Sequence, residues 1–268
     1  MTVVAAIITS HYTAHASDSF ITERQTNGTF IVKESQQSKL VRVEAWRGVM
    51  AYWGLAYFGK WNTFDWLQAK ANDAGTYKSP QAFADALAAE LTAEAKTRVR
   101  SANMGIGIHF TAYEYLEGYW IPELFLVSNW ADLSYTSCRP VFTATRETFG
   151  THKGVVERSK DDGNLDRRRA VHSALLNHKV LFHYNNGDTL FLNSIAHSIF
   201  CTFGLLLQRG QLRDPTTVQT HLSLVRRPVE IASKLLSDLA QPGLIVIGGK
   251  PHDLAVSPHG QYCPVKSS

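Results

Sequence analysis

The period of the apolar residues changes along this chain, and the order of those changes limits what it can fold into. Over roughly the first 60 residues the apolar positions come in short runs: "VVAAIIT", "YTAHASD", "TFIVKES", "KLVRVEA" and "GVMAYWGLA". Such runs, rich in β-branched and aromatic residues and bounded by turn formers, read as strands. Ser10 and His11 separate the first two as a tight hairpin, and Asn27-Gly28 marks a second turn. "KLVRVEA" sets Leu40, Arg42 and Glu44 against Val41, Val43 and Ala45, the alternation of a strand with one buried face.

Helical spacing then takes over. "NTFDWLQAKANDAG" predicts a helix capped by Asn62 or Thr63 and closed by Gly75. "SPQAFADALAAELTAEAKTRV" predicts a second, with Ser79 as cap and Pro80 in its first turn. Phe83, Leu87 and Leu91 form an i, i+4, i+8 stripe on it that must be buried. From Gly105 strands return in "GIGIHFTAYEY", "YWIPELFLVSN" and "PVFTATRETF". Helices are expected at about 189–208 and 215–239, the latter with Pro228 as a kink or break, followed by short strands "GLIVIGG" and "HDLAVSP". "GTHKGVVERSKDDGN" reads as a charged, mobile loop.

Helices in pairs between blocks of strands argue against a parallel α/β fold, in which strands and helices alternate singly. The expected class is α+β, a four-layer αββα sandwich of two stacked, mainly antiparallel sheets. With no repeats and no linker, residues 1–268 read as a single domain. The hydrophobic fraction of 44% and charged fraction of 19% are those of an ordinary globular chain. A net charge of +4, clustered only at Arg167–Arg169, lacks the basic stripe of a nucleic-acid binder. "VVAAII" is too short for a signal peptide, and "IAHSIFCTFGLLL" is shorter than a membrane span. Cys138, Cys201 and Cys263 are odd in number and widely spaced, as free thiols in a reducing compartment would be. Cys201, in an apolar run, reads as core packing. A cytoplasmic protein with no nucleic-acid or membrane partner is expected.

His11 and His15 stand four apart on a hairpin, which is no metal-ligand spacing, and "GIGIHF" lacks the third glycine of a dinucleotide site. Neither a metal nor another cofactor is expected. Thr2 offers more. A threonine hydroxyl becomes a useful nucleophile when a base removes its proton, and a free α-amine on the same residue, with a pKa of roughly 7.7–8.0, can be that base. Removal of Met1 would expose Thr2 in this way.

The pattern from Thr2 through "ASD", "SKLVRV" and "GVMAYWGLA" resembles the start of a proteasome β-subunit, most nearly the divergent bacterial branch without a propeptide. The resemblance extends over the chain as a fold, with its specific motifs in the first 55 residues. It implies an N-terminal-nucleophile (Ntn) hydrolase that cleaves amide or peptide bonds through an acyl-enzyme. Carried over by position, Thr2 is the nucleophile, Asp18 the acid, Lys39 the cation beside the nucleophile, and Gly54 the backbone donor to the oxyanion. Gly48 matches a turn glycine between two strands, and Gly248 and Gly249 match a structural turn. The family's Asp-x-x-Ser near that turn is replaced by Leu244 and Ile247. Another accessory serine is replaced by Asn185 or Asn186, so Asn186, Asp188 or a histidine would fill those polar roles. A peptide or protein substrate and a homo-oligomeric ring are implied. The alternatives are a catalytically silent scaffold or binding subunit, and a specialised amidase or peptide ligase.

Overall fold

The computed structural model describes residues 3–9, 11–58, 60–98, 105–116, 118–131, 137–152, 155–160, 166, 182–187, 195, 198–199, 202–203, 205–206, 209–213, 216–239, 241, 247–260 and 262–263. The strands are β1 (Val3–Ile8), β2 (Thr13–Ser17), β3 (Ile21–Arg24), β4 (Phe30–Glu34), β5 (Leu40–Val43), β6 (Gly48–Gly54), β7 (Tyr57–Phe58) and β8 (Trp61–Asn62). After helices α1 (Thr63–Asp73) and α2 (Pro80–Arg98) come β9 (Ile106–Leu116), β10 (Tyr119–Trp130), β11 (Cys138–His152), β12 (Val155–Lys160) and β13 (Phe182–Gly187). Helix α3 (Val218–Leu239) precedes β14 (His252–Val256) and β15 (Tyr262–Cys263).

Eleven of these strands form a five-stranded sheet in the order β13-β1-β2-β14-β15 and a six-stranded sheet in the order β12-β11-β10-β9-β6-β5, while β3-β4 and β7-β8 are separate two-stranded sheets. Every neighbouring pair within them is antiparallel. The molecule is therefore a mixed α+β protein with antiparallel sheets. No helix among the described residues is long and apolar enough to cross a membrane.

Local chemistry explains the helices. Asn62 accepts from the backbone N–H groups of Phe64 and Asp65, satisfying two donors that the first turn of α1 would leave open. Ser79 caps α2 through the N–H of Ala82. The Phe83, Leu87 and Leu91 stripe is fully buried against Met50, Phe110 and Phe125 of the six-stranded sheet. Leu67 and Ala71 of α1 join the same cluster. Leu222, Val225 and Val229 of α3 pack instead on Val3, Ala5 and Ile7 of β1, with Ala255 of β14. Val4 and Val256 of the smaller sheet pack with Leu40, Val49, Ala51 and Trp53 of the larger. Pro228 lies inside α3, which runs through it.

Three local expectations are corrected. In "KLVRVEA" Leu40 is buried as well as Val41 and Val43, because its side chain meets Val4 across the two sheets while the valines face the helices. The left-handed residue before β6 is Arg47, at φ 47°, and not Gly48; a Cβ on Gly48 would lie 2.2 Å from the Thr111 carbonyl oxygen, so that glycine permits strand approach. The charged segment "GTHKGVVERSKDDGN" contributes the end of β11 and the whole of β12, paired from Glu147↔Lys160 to His152↔Val155. Charge there suits an edge strand, which it protects from pairing with another chain. The expected helix at 189–208, Cys201 and most of "GLIVIGG" lie largely or wholly outside the described residues.

Candidate functional site

The hairpin β1–β2 is built from two continuously buried strands and a Thr9 turn, whose backbone N–H donates to the Tyr12 carbonyl at 2.9 Å. Its register places Val4 opposite Ser17, so Asp18 emerges beside Val3. The Asp18 N–H donates to the Val3 carbonyl at 3.2 Å, and the Val3 N–H donates to Asp18 Oδ1 at 2.8 Å. Lys39, immediately ahead of β5, donates from Nζ to the same Oδ1 at 2.8 Å and to the Phe20 carbonyl at 2.8 Å. Both side chains of this ion pair are completely buried. Burial lowers the Lys39 pKa, and the charge and hydrogen bond of Asp18 oppose that fall. Asp18 Oδ2 is also buried and has no hydrogen-bond partner among the described residues.

The segment that delivers Lys39 is tied down through Ser19. Ser19 Oγ donates to the Ser35 carbonyl at 2.7 Å, and the Ser19 carbonyl accepts from the Gln37 N–H at 3.3 Å. Its own N–H donates to the Gly248 carbonyl at 3.1 Å. Gly249 follows with φ +79°, and a Cβ there would lie 2.2 Å from Ser19 Oγ. The Gly-Gly turn is thus shaped by the residue that holds the loop before Lys39, and only glycine fits at Gly249.

The structure brings Asp18 and Lys39 together. Thr2, like Asp188, lies outside the described residues. Gly54 ends β6 with φ +92°, and a Cβ would meet the Gly105 carbonyl oxygen at 2.2 Å. That geometry requires glycine whatever else its N–H does. Along β6 it is two residues from Tyr52, whose N–H donates to the Lys39 carbonyl at 3.2 Å, so roughly 7 Å of strand separates it from that link. Asn186 and Asn185 sit on β13, in register with Val4 and Ala5. Ile247 is buried among the residues that meet α3. His15 is buried in β2, and its Nε2 lies 2.8 Å from Thr111 Oγ1 of the other sheet. No group of His, Cys, Asp and Glu among the described residues could hold a metal ion.

Sequence reasoning missed Ser17, Ser19, the Phe20 carbonyl and His252. The signal for the first two was present in "ASDSF", where a serine stands on each side of Asp18. A backbone carbonyl has no residue-type signature, and His252 is distant in sequence from its register partner Ser17.

No family model matches the chain, and no curated protein matches it.

Proposed function

We propose that this chain is a threonine-type Ntn hydrolase, proteasome-like, with the four-layer αββα arrangement. The apolar clusters support the layering: α1 and α2 pack on one sheet, α3 on the other, and a third cluster joins the sheets. One observation carries the chemistry. Asp18 Oδ1 joins the buried ammonium of Lys39 to the N–H of Val3, the nitrogen through which Val3 is bonded to Thr2.

The mechanism follows from that charge. A cation beside Thr2 lowers the proton affinity of its hydroxyl. The free α-amine takes the hydroxyl proton as Oγ bonds to the substrate carbonyl carbon. The oxyanion is stabilised by a backbone donor, assigned to the Gly54 N–H. Collapse breaks the amide bond, the leaving amine takes the proton from the α-ammonium, and water then hydrolyses the ester on Thr2. The substrate is a peptide or protein, and a homo-oligomeric ring in the cytoplasm belongs to the same reading.

The test combines intact mass with a threonine-directed electrophile. The cell-made protein is expected to begin at Thr2 and to be labelled stoichiometrically, with no label on Thr2→Ala. Retention of any residue ahead of Thr2, or labelling that survives Thr2→Ala, overturns the mechanism. One observation favours a silent scaffold instead: Ile247, at the position of the family's accessory serine, is 1% exposed in an apolar cluster. That reading predicts a free Thr2 amine and no labelling.

A further inference from the structure

The β1–β2 hairpin and α3 meet at a buried histidine far from the Asp18–Lys39 pair. Thr217 caps α3, its Oγ1 accepting from the Thr220 N–H at 3.2 Å. His221 ends the first turn behind that cap and is fully buried. The Thr217 carbonyl holds it twice, by the His221 backbone N–H at 3.2 Å and by ring Nδ1 at 2.8 Å. A carbonyl only accepts, so Nδ1 carries the ring hydrogen, and Nε2 of the neutral ring is an acceptor. Thr9 Oγ1, at the hairpin turn and also buried, lies 2.8 Å from Nε2. The Thr9 hydroxyl is therefore the donor in that bond.

Every hydrogen-bonding position of Thr9 Oγ1 is then in use. Its hydrogen goes to Nε2, and its two lone pairs accept from the backbone N–H groups of His11 and Tyr12 at 3.2 and 3.1 Å. A protonated ring presents an N–H where Thr9 has no lone pair left. To accept it, Thr9 must release one of those backbone groups and turn its own hydrogen to the Tyr12 carbonyl, 3.3 Å away. Protonation thus sets the ring against the turn it holds.

We propose that the Thr9–His221 bond is an acid-released latch: the neutral ring clasps the tip of the hairpin to the N-terminal turn of α3, and a proton on Nε2 lets that end of the helix open. The surroundings favour the neutral ring. The N-terminus of a 22-residue helix is the positive end of its dipole. Burial is the largest influence against charging, and His11 of the hairpin adds a like charge. The Thr217 carbonyl favours charging, and no carboxylate acts on the ring among the described residues. Tyr12 packs its own ring 5.0 Å from the imidazole. Leu222 and Val225, one and four positions further along α3, pack with Val3, Ala5 and Ala14, so opening begins over the hairpin itself. The latch does not depend on the chemistry assigned to Thr2.

The test is ring NMR and amide hydrogen exchange against pH, on the full chain, in wild type, Thr9→Val, Thr9→Ser and His221→Gln. The nitrogen shifts of the neutral wild-type ring should place its hydrogen on Nδ1, with a titration midpoint below 6.5. Thr9→Val removes the donor to Nε2 and should raise that midpoint, while Thr9→Ser keeps it. Protection of the Tyr12 and His221 amides, corrected for intrinsic exchange, should be constant above pH 6.5 and fall below it, by at most about tenfold per pH unit. The sign follows from the lowered ring pKa: below pH 6.5 the closed state binds fewer protons than the open one. His221→Gln should flatten the fall at both amides. A neutral ring with its hydrogen on Nε2, a midpoint unmoved by Thr9→Val, constant protection in wild type, or a fall that survives His221→Gln overturns the latch. If His221→Gln does not fold, the ring hydrogen and the Thr9→Val midpoint decide it alone.

Discussion

Replacing Asp18 with Asn tests whether the Asp18–Lys39 pair is as dry as its geometry says. The 2.8 Å contact joins two side chains with no exposure, and Asp18 Oδ1 also holds the Val3 N–H. Asn preserves volume and can still accept from Val3, but it leaves the Lys39 ammonium with the Phe20 carbonyl and no counter-charge. Breaking a buried pair in this way costs roughly 3–5 kcal/mol, mostly as the penalty of the stranded charge. Lys39→Met strands the carboxylate and should cost a similar amount. The double variant removes both charges and should recover most of either loss, because a buried neutral pair pays no desolvation. Urea unfolding of the four proteins at pH 7 gives the coupling energy directly. The pH dependence has a definite sign. Burial holds the folded Lys39 pKa below its unfolded value of 10.5, so the folded state binds fewer protons between those two values. The stability penalty is full below the folded pKa and is relieved as pH rises toward 10.5. In Asp18→Asn, with the opposing Asp18 charge gone, that relief should begin at lower pH. Single variants costing under about 1 kcal/mol, with an additive double, would show a solvated surface-type pair and refute the buried-cation argument.

Other outcomes follow from the same structure. His15 is fully buried with its pKa lowered to about 3, so acidification between pH 6.5 and about 3 charges the unfolded state before the folded one. Stability should fall by up to about 1.4 kcal/mol per pH unit in that window, and His15→Gln should flatten the slope in urea titrations at pH 7, 5.5 and 4.5. Asn62→Ala removes the cap of α1 and should cost roughly 1 kcal/mol by denaturant midpoint; no loss would mean the cap bonds are idle. Gly54→Ala forces both a left-handed alanine and a collision with the Gly105 carbonyl, a destabilisation of roughly 1–3 kcal/mol from backbone strain alone, read by thermal unfolding. A neutral Gly54→Ala would contradict the described backbone at that position.

The helices were legible because their signals are local. Asn62, Ser79 and Pro80 sit within one turn of what they cap, and the Phe83–Leu87–Leu91 stripe repeats with the helix itself. The β1–β2 hairpin was legible for the same reason. Alternation at "KLVRVEA" was read as one buried face, and Leu40 escaped it because burial from a second sheet leaves no periodic mark. Charge misled the reading of "GTHKGVVERSKDDGN", since an edge strand and a solvated loop share that composition.

By itself the sequence determined the strand-rich start, the helices α1 and α2 with their caps, and a short set of polar residues, Asp18 and Lys39 among them, able to do chemistry. Tertiary structure alone decided that these two share one oxygen beside Val3, that Ser19 ties the Lys39 loop to the Gly-Gly turn, and that Ser17 faces His252 across two strands. The division has a physical cause. Caps and periodicity are interactions between residues a few positions apart, written directly in the chain. A buried ion pair joins residues that only strand register and sheet packing bring together, and the burial that perturbs Lys39 does not exist until that packing is complete.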